Sequence, residues 1–170
     1  MVGAERASGV AEAGAACVTV VEDREGDIYE CFVFKPENVE KLVRAGQDRA
    51  LADGTPLFSK ADAWDEAGRM EVALPAAPGR KARTAELSIK FGVVEINRPA
   101  SRKASDGLPK AVAVTLVIGQ EINPPEGQEA ATWFLLTTHR VTDIAAARRI
   151  IDFYRLRWTI EQLFRTMKTK

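Results

Sequence analysis

The sequence predicts an α/β domain with a β-rich, mostly antiparallel centre and a long helix near its C-terminus. A short β-branched run, Ala16–Val21, is typical of a buried strand. Between Arg69 and Thr138, four alternating or β-branched runs are separated by clusters of Pro, Gly and charge, the pattern of an antiparallel sheet. After Thr142 the chain contains no Gly or Pro, and its apolar residues recur with a helical period.

The other elements lie between the first strand and the β-rich stretch. The segment EDREGDIYECFVF is acidic and then apolar, which predicts a strand end running into a helix. Glu40–Gly46 is interpreted as the next strand, and LFSKADAW as one or two helical turns. The later strands are predicted in RMEVALP, RTAELSIKFGVVEINRP, KAVAVTLVIGQEI and ATWFLLTT, joined in part by the basic loops APGRKAR and ASRKASDGLPK.

Composition indicates an ordinary globular protein. The chain has 170 residues, of which 46% are hydrophobic and 28% charged, enough for one domain with a core. No apolar run approaches the ~20 residues of a membrane span, and the N-terminal residues lack the features of a signal peptide. Cys17 and Cys31 match no zinc pattern and are interpreted as reduced thiols. We therefore expect a cytoplasmic protein without a membrane partner.

Charge is distributed unevenly although the formal net charge is zero. Residues 1–79 hold 8 Lys/Arg and 15 Asp/Glu, whereas residues 80–170 hold 16 and 9. An asymmetry of this kind suggests an acidic half and a basic half, the latter suited to a polyanion. Chance combined with exposed loops is the alternative explanation.

Several chemistries are excluded by residue type. His139 is the only histidine, so neither an HExxH site nor a two-histidine metal site can form. A Ser-His-Asp triad would need His139, and the GxSxG elbow is absent. The phosphate-binding patterns GxGxxG and GxxxxGK[ST] are absent as well.

The C-terminal helix carries a narrow polar stripe. At about 100° per residue, Tyr154, Arg157, Glu161 and Lys168 fall within roughly 60° of one another. The predicted core face is made of Phe153, Leu156, Ile160, Leu163, Phe164 and Met167. The stripe borders that face, where a polar side chain can be held firmly and still reach a ligand. The alternative is a solvated ion-pair ladder of Arg157, Glu161 and Arg165.

A second candidate site is the acidic segment Glu22–Asp27. A carboxylate just past the end of a buried strand projects into the crevice where open α/β sheets bind ligands, and hard divalent cations prefer such oxygen ligands. Asp23 is the best placed of these acids. Asp27 has a structural alternative as the N-cap or a first-turn residue of the next helix.

The spacing Tyr154-x2-Arg157-x3-Glu161-x6-Lys168 resembles the Y-R-E-K signature of bacterial DDE transposases of the IS-four family, which includes transposon-five transposase. VVEDREGDI resembles the family segment with the second catalytic aspartate, and EINPP followed by WFLLTT resembles the family's order. The resemblance implies an RNase H-like catalytic core (DDE transposase/integrase). Residues 1–170 would form part of that domain, and residues 69–138 a β-rich antiparallel insertion.

The resemblance also implies roles for individual residues. Asp23 and Glu161 match catalytic carboxylates that bind Mg2+ or Mn2+, and they are expected to share an ion. DNA-binding positions are matched by Tyr154, Arg157, Lys168, Trp133 and Arg44. Of these, Trp133 matches the tryptophan that stacks on a flipped base, and the others match residues that contact the DNA. Glu161 would have cations around it because the metal and the scissile phosphate meet there.

The resemblance implies a cut-and-paste transposase: metal-dependent phosphodiester hydrolysis and strand transfer at double-stranded transposon ends. The family works as a homodimer, in bacteria, in association with the nucleoid. A first catalytic aspartate is expected on an earlier strand, but Glu5 and Glu12 are the only acids before Val18. The sequence therefore suggests an N-terminally truncated core with an incomplete triad and little cleavage activity. The alternatives are a non-catalytic DNA-binding or inhibitory fragment and a metal-dependent nuclease of the same fold.

Overall fold

A computed structural model of the chain describes residues 16–76 and 81–168; in the last helix it describes side chains through Arg157 and at Met167. The strands in these ranges are β1 (Val18–Glu22), β2 (Val39–Arg44), β3 (Gly68–Leu74), β4 (Arg83–Asn97), β5 (Ala111–Ile122) and β6 (Thr132–Thr137). The helices are α1 (Tyr29–Val33), α2 (Lys60–Ala63) and α3 (Ile144–Lys168), with short 3-10 turns at Arg24–Gly26 and Ala104–Asp106.

All six strands form one mixed sheet in the order β1-β2-β6-β5-β4-β3. β1 and β2 are parallel, with Val18 opposite Val39, and every other neighbouring pair is antiparallel. The four strands predicted between Arg69 and Thr138 are confirmed, as are the helix after the acidic segment and the long C-terminal helix. Because β6 pairs with β2, the β-rich stretch continues the sheet begun by β1 and β2.

Each face of the sheet is covered by its own hydrophobic core, which explains why β5 is a nearly continuous buried run. The α3 side contains Leu42, Leu87, Ile89, Val117, Leu135, Ala147, Ile150, Ile151 and Tyr154, among others. The opposite side contains Tyr29, Phe32, Val43, Leu51, Leu57, Ala61, Ile96 and Leu116, among others. In the described part of the chain, no helix has the length and apolar character to cross a membrane. Cys17 and Cys31 are both free thiols.

Two glycines let α3 lie close to the sheet. A Cβ on Gly119, in the middle of β5, would lie 3.4 Å from Cδ1 of Ile151 and 3.3 Å from Cδ1 of Leu87. A Cβ on Gly68, at the start of β3, would lie 2.9 Å from Cγ1 of Ile144. Larger residues at these positions would push the helix outward, since buried side chains are already close-packed.

The predicted core face of α3 was correct at Phe153, which packs against the core, and wrong at the other described positions; the side chains of Ile160, Leu163 and Phe164 lie outside the described residues. Leu156 is 59% exposed, whereas Tyr154 is completely buried at 0%. The buried face is set by Ala146, Ala147, Ile150 and Ile151, and Tyr154 continues it by about one turn. The polar stripe therefore begins on the buried face and does not merely border it. Met167, also assigned to the core face, is exposed.

A buried ion pair joins β4, β5 and the loop before β6. The Arg83 guanidinium donates to Glu121 at 2.8 Å from Nη2 and 3.1 Å from Nε, and it also donates to Gln128. Glu121 accepts the backbone N–H of Ala131 at 2.8 Å. Arg83 belongs to the predicted basic loop APGRKAR, but it is the first residue of β4 and its side chain is largely buried in this pair. Residues 77–80, in the same predicted loop, lie outside the described residues.

We expect Glu121→Ala to lower the free energy of unfolding by about 3–5 kcal/mol, because it leaves a buried guanidinium and a backbone N–H without their acceptor. Urea denaturation followed by circular dichroism measures the change. Glu126→Ala, at an exposed position of the nearby loop, is the control and should change the value by less than about 0.5 kcal/mol. Equal effects of the two substitutions would contradict a structural role for the pair.

Candidate active site

The candidate site lies where the two parallel strands end. β1 ends at Glu22 and β2 at Arg44, and because the strands are parallel and in register their carboxyl ends share one edge of the sheet. Asp23 directly follows β1, and its carbonyl accepts the N–H of Gly26 at 2.8 Å, which closes a 3-10 turn. The expected position of Asp23, at the end of a strand and at the sheet edge, is therefore confirmed.

Helix α3 brings two residues of the polar stripe to this carboxylate. Nη2 of Arg157 lies 3.0 Å from Oδ2 of Asp23. The hydroxyl of Tyr154 lies 3.5 Å from Oδ1, at the outer limit of a hydrogen bond. The side chains of Asp23 and Arg157 are 38% and 22% exposed, so the pair remains open to solvent. Residues separated by 131 and 134 positions in the sequence thus form one cluster.

Arg44 completes the cluster through the tyrosine. Its guanidinium donates a hydrogen bond to the Tyr154 oxygen. Burial raises the pKa of Tyr154 above its ordinary value, the nearby Arg44 charge opposes that rise, and the Asp23 charge reinforces it. The Arg157 guanidinium also lies over the Tyr154 ring, 5.8 Å from its centroid. We call these four residues the Asp23 cluster: Asp23, Arg44, Tyr154 and Arg157.

Asp27 holds together the loops that follow β1 and β2. Its side chain is almost wholly buried; it accepts the N–H of Gly46 at 2.9 Å and is paired with the Arg49 guanidinium. The predicted N-cap role was wrong, because Ile28 is the N-cap of α1 and no side chain caps it. Sequence reasoning missed Arg49, since nothing in GQDRA marks it as the partner of an acid 22 positions earlier.

Residues 23–170 match the family model described as the transposase DDE domain. The match spans most of the chain and begins at the aspartate around which the cluster is built. The chain belongs to this family. A transposase DDE domain implies an RNase H-like α/β fold, with which the mixed sheet is consistent, and it implies DNA as substrate.

Two of the residues expected to contact DNA, Trp133 and Tyr154, are buried in this transposase domain. Trp133 is 3% exposed within β6, and its ring lies 5.8 Å from that of Tyr154. It packs in the core beneath α3, so its ring has no free face for a flipped base. Tyr154 is fully buried as well, and its hydroxyl faces the side chains of Asp23 and Arg44; its contact with a phosphate stays a prediction.

The other two residues of the predicted Y-R-E-K pattern, Glu161 and Lys168, are not described at the side-chain level. The backbone of α3 continues through Glu161 and Lys168, but both side chains lie outside the described part of the structure. The expectation that Asp23 and Glu161 share a metal ion therefore stays a prediction. A first aspartate was expected on a strand before Val18; Glu5 and Glu12, the acids of that stretch, lie outside the described residues.

A divalent metal ion, which DDE transposases generally use, suits the chemistry of Asp23. Its carboxylate offers oxygen donors, is partly exposed and lies at the sheet edge. Among the described side chains, no group of three His, Cys, Asp or Glu residues is close enough to hold an ion. Asp23 therefore fits as one ligand of a larger site.

Both tyrosines of the chain, Tyr29 and Tyr154, have pKa values raised by burial. Because their folded pKa lies above the unfolded value of 10.0, their contribution to stability is complete below pH 10. Above that pH the unfolded tyrosines ionise first, so the free energy of unfolding should fall as pH rises. Tyr154→Phe should remove the part of this fall that is linked to Tyr154 and leave the part linked to Tyr29. Phenolate absorbance and urea unfolding against pH measure both effects; a tyrosine that ionises at pH 10 in the folded protein would contradict the assignment.

Proposed function

We propose that this chain is the catalytic region of an IS-four-type transposase whose Y-R-E-K signature is Tyr154, Arg157, Glu161 and Lys168. Its reaction would be phosphodiester hydrolysis and strand transfer at the ends of a DNA element. The observation that supports this most strongly is the meeting of Tyr154 and Arg157 with Asp23 at the sheet edge. A solvated ion-pair ladder on α3 would give no reason for these side chains to converge on a carboxylate from β1.

Within the Asp23 cluster, we assign one residue to the metal, one to the DNA and two to the support of these side chains. Asp23, with Glu161 as a proposed partner, would hold Mg2+ or Mn2+. When bound, the metal would activate a water or a 3′-hydroxyl and stabilise the leaving oxygen. Arg157 is the described stripe residue whose side chain is charged and partly exposed, so it is the residue that we propose contacts a backbone phosphate. Tyr154 and Arg44 act as support: the tyrosine contacts Asp23, and Arg44 bonds the tyrosine.

The phosphate contact of Arg157 can be tested by DNA binding. With Ca2+ present to suppress cleavage, we expect Arg157→Ala to weaken binding of a short duplex by about 1–3 kcal/mol, a roughly 5- to 150-fold higher Kd. Fluorescence anisotropy measures the affinity. Arg149→Ala, exposed on the same helix, is the control and should change the Kd much less. For the parent chain, the logarithm of the association constant should fall linearly with the logarithm of the salt concentration. Arg157→Ala should make that slope shallower by about one.

An Arg157→Ala chain that binds DNA like the parent would remove the phosphate role and leave the stripe as a solvated face. A nicking assay with Mn2+ on the same duplex separates the remaining possibilities. Cleavage that Asp23→Asn abolishes would support the proposed chemistry. DNA binding without cleavage is the outcome expected both for a core with an incomplete triad and for a DNA-binding domain without catalysis.

A further inference from the structure

The contact between Arg157 and Asp23 occupies a carboxylate that the metal ion would need and a guanidinium that the DNA phosphate would need. Oδ2 of Asp23 accepts Nη2 of Arg157 at 3.0 Å, and Oδ1 faces the Tyr154 hydroxyl at 3.5 Å. Both carboxylate oxygens are therefore engaged by donors from α3. A divalent ion bonds to carboxylate oxygens at about 2.3–2.6 Å for Ca2+ and about 2.0–2.1 Å for Mg2+. At such distances the ion and the guanidinium would compete for Oδ2.

Charge strengthens this competition. The Arg157 guanidinium contacts Asp23, and the Arg44 guanidinium lies next to the Tyr154 hydroxyl that faces the same carboxylate. A metal ion bound to Asp23 would add two positive charges beside them and repel both. Arg44 is tied to the buried Tyr154 hydroxyl, whereas the Arg157 side chain is partly exposed and ends at a partly exposed carboxylate. Arg157 is therefore the cation that can move away, because both members of its ion pair are partly exposed to solvent.

We propose that Arg157 is an exchangeable counter-ion of Asp23, which makes metal ion and DNA phosphate bind cooperatively. This inference rests on the proposed function and adds a regulatory coupling to it. Without metal, Arg157 neutralises Asp23 and is withheld from phosphate. When a divalent ion occupies Asp23, the guanidinium is released and binds the DNA backbone, whose negative charge in turn balances the ion. By linkage, each ligand raises the affinity of the other by the same factor.

The first test measures duplex binding by anisotropy with and without Ca2+, at constant ionic strength. For the parent chain we expect Ca2+ to tighten binding roughly 5- to 50-fold, within the usual range of coupling between sites. Arg157→Gln should lose most of this enhancement. Arg149→Gln, on the exposed surface of the same helix, is the matched control for general effects of Ca2+ on DNA and should keep it. Circular dichroism and thermal unfolding establish that the variants are folded.

A double-mutant cycle separates exchange from simple removal of a negative charge. Asp23→Asn should bind DNA without metal about as tightly as the parent binds with it, and should no longer respond to Ca2+. Under the proposal most of that gain depends on the released guanidinium, so it should disappear in Asp23→Asn/Arg157→Gln. If Asp23→Asn tightened DNA binding by the same factor in the parent and in the Arg157→Gln chain, only the lost negative charge would matter. That result would overturn the proposal.

The second test needs no DNA and therefore distinguishes failure of this inference from failure of the proposed function. Mn2+ binding is followed by the electron paramagnetic resonance signal of the free ion. Arg157→Gln should bind Mn2+ roughly 5-fold or more tightly than the parent, and Asp23→Asn more weakly. If the parent bound no DNA under any condition, the proposed function would fail, and this measurement would still decide the counter-ion role. Unchanged Mn2+ affinity in Arg157→Gln, or equal Ca2+ enhancement of DNA binding in Arg157→Gln and the parent, would overturn the exchange.

Discussion

The packing of α3 across the sheet is the contact on which the candidate site depends. Its small and branched side chains, Ala146, Ala147, Ile150 and Ile151, lie against the core of one sheet face. Gly119 leaves the room that Ile151 occupies. One turn further along the same face comes Tyr154, whose ring is buried while its hydroxyl reaches the sheet edge. If the helix were rotated or displaced outward, Arg157 would lose Asp23, although the covalent sequence of both would be unchanged.

Buried ion pairs fix the relative positions of loops that the hydrophobic cores alone do not hold in place. Asp27 and Arg49 tie the loop after β1 to the loop after β2, so the two strand ends keep their relative position. Arg83 and Glu121 do the same for β4, β5 and the approach to β6. Such pairs add little net stability relative to a well-packed apolar alternative, but losing one partner is costly. We infer that their main effect in this domain is to define the geometry of the loops.

The Asp23 cluster differs from these pairs in exposure and in charge balance. Asp27 and Glu121 are sealed from solvent, whereas Asp23 and Arg157 are both accessible. Asp23 contacts Arg157 directly, and it faces Arg44 through the Tyr154 hydroxyl. Since the pair is partly exposed, its partners can change with the ligand more readily than those of a sealed pair.

Much of the fold followed from local pattern. The period-two runs of β3 to β6 and the Gly- and Pro-free stretch of α3 are properties of neighbouring residues, and the structure has strands and a helix at those places. The position of Asp23 could be predicted for the same reason, because a strand end is visible in the sequence. The spacing of Tyr154 and Arg157 likewise placed them on one side of a helix before any contact was known.

What the sequence could not decide is which side of that helix meets the sheet. A helical period gives the angles between side chains but not the direction that is buried, and the large Leu156 lies outward while two alanines lie inward. The burial of Trp133 and the pairing of Asp27 with Arg49 were undetermined for the same reason. These outcomes depend on segments that are distant in the chain and adjacent only after folding. The sequence by itself determined the elements and the candidate residues, and tertiary packing decided which of those residues meet.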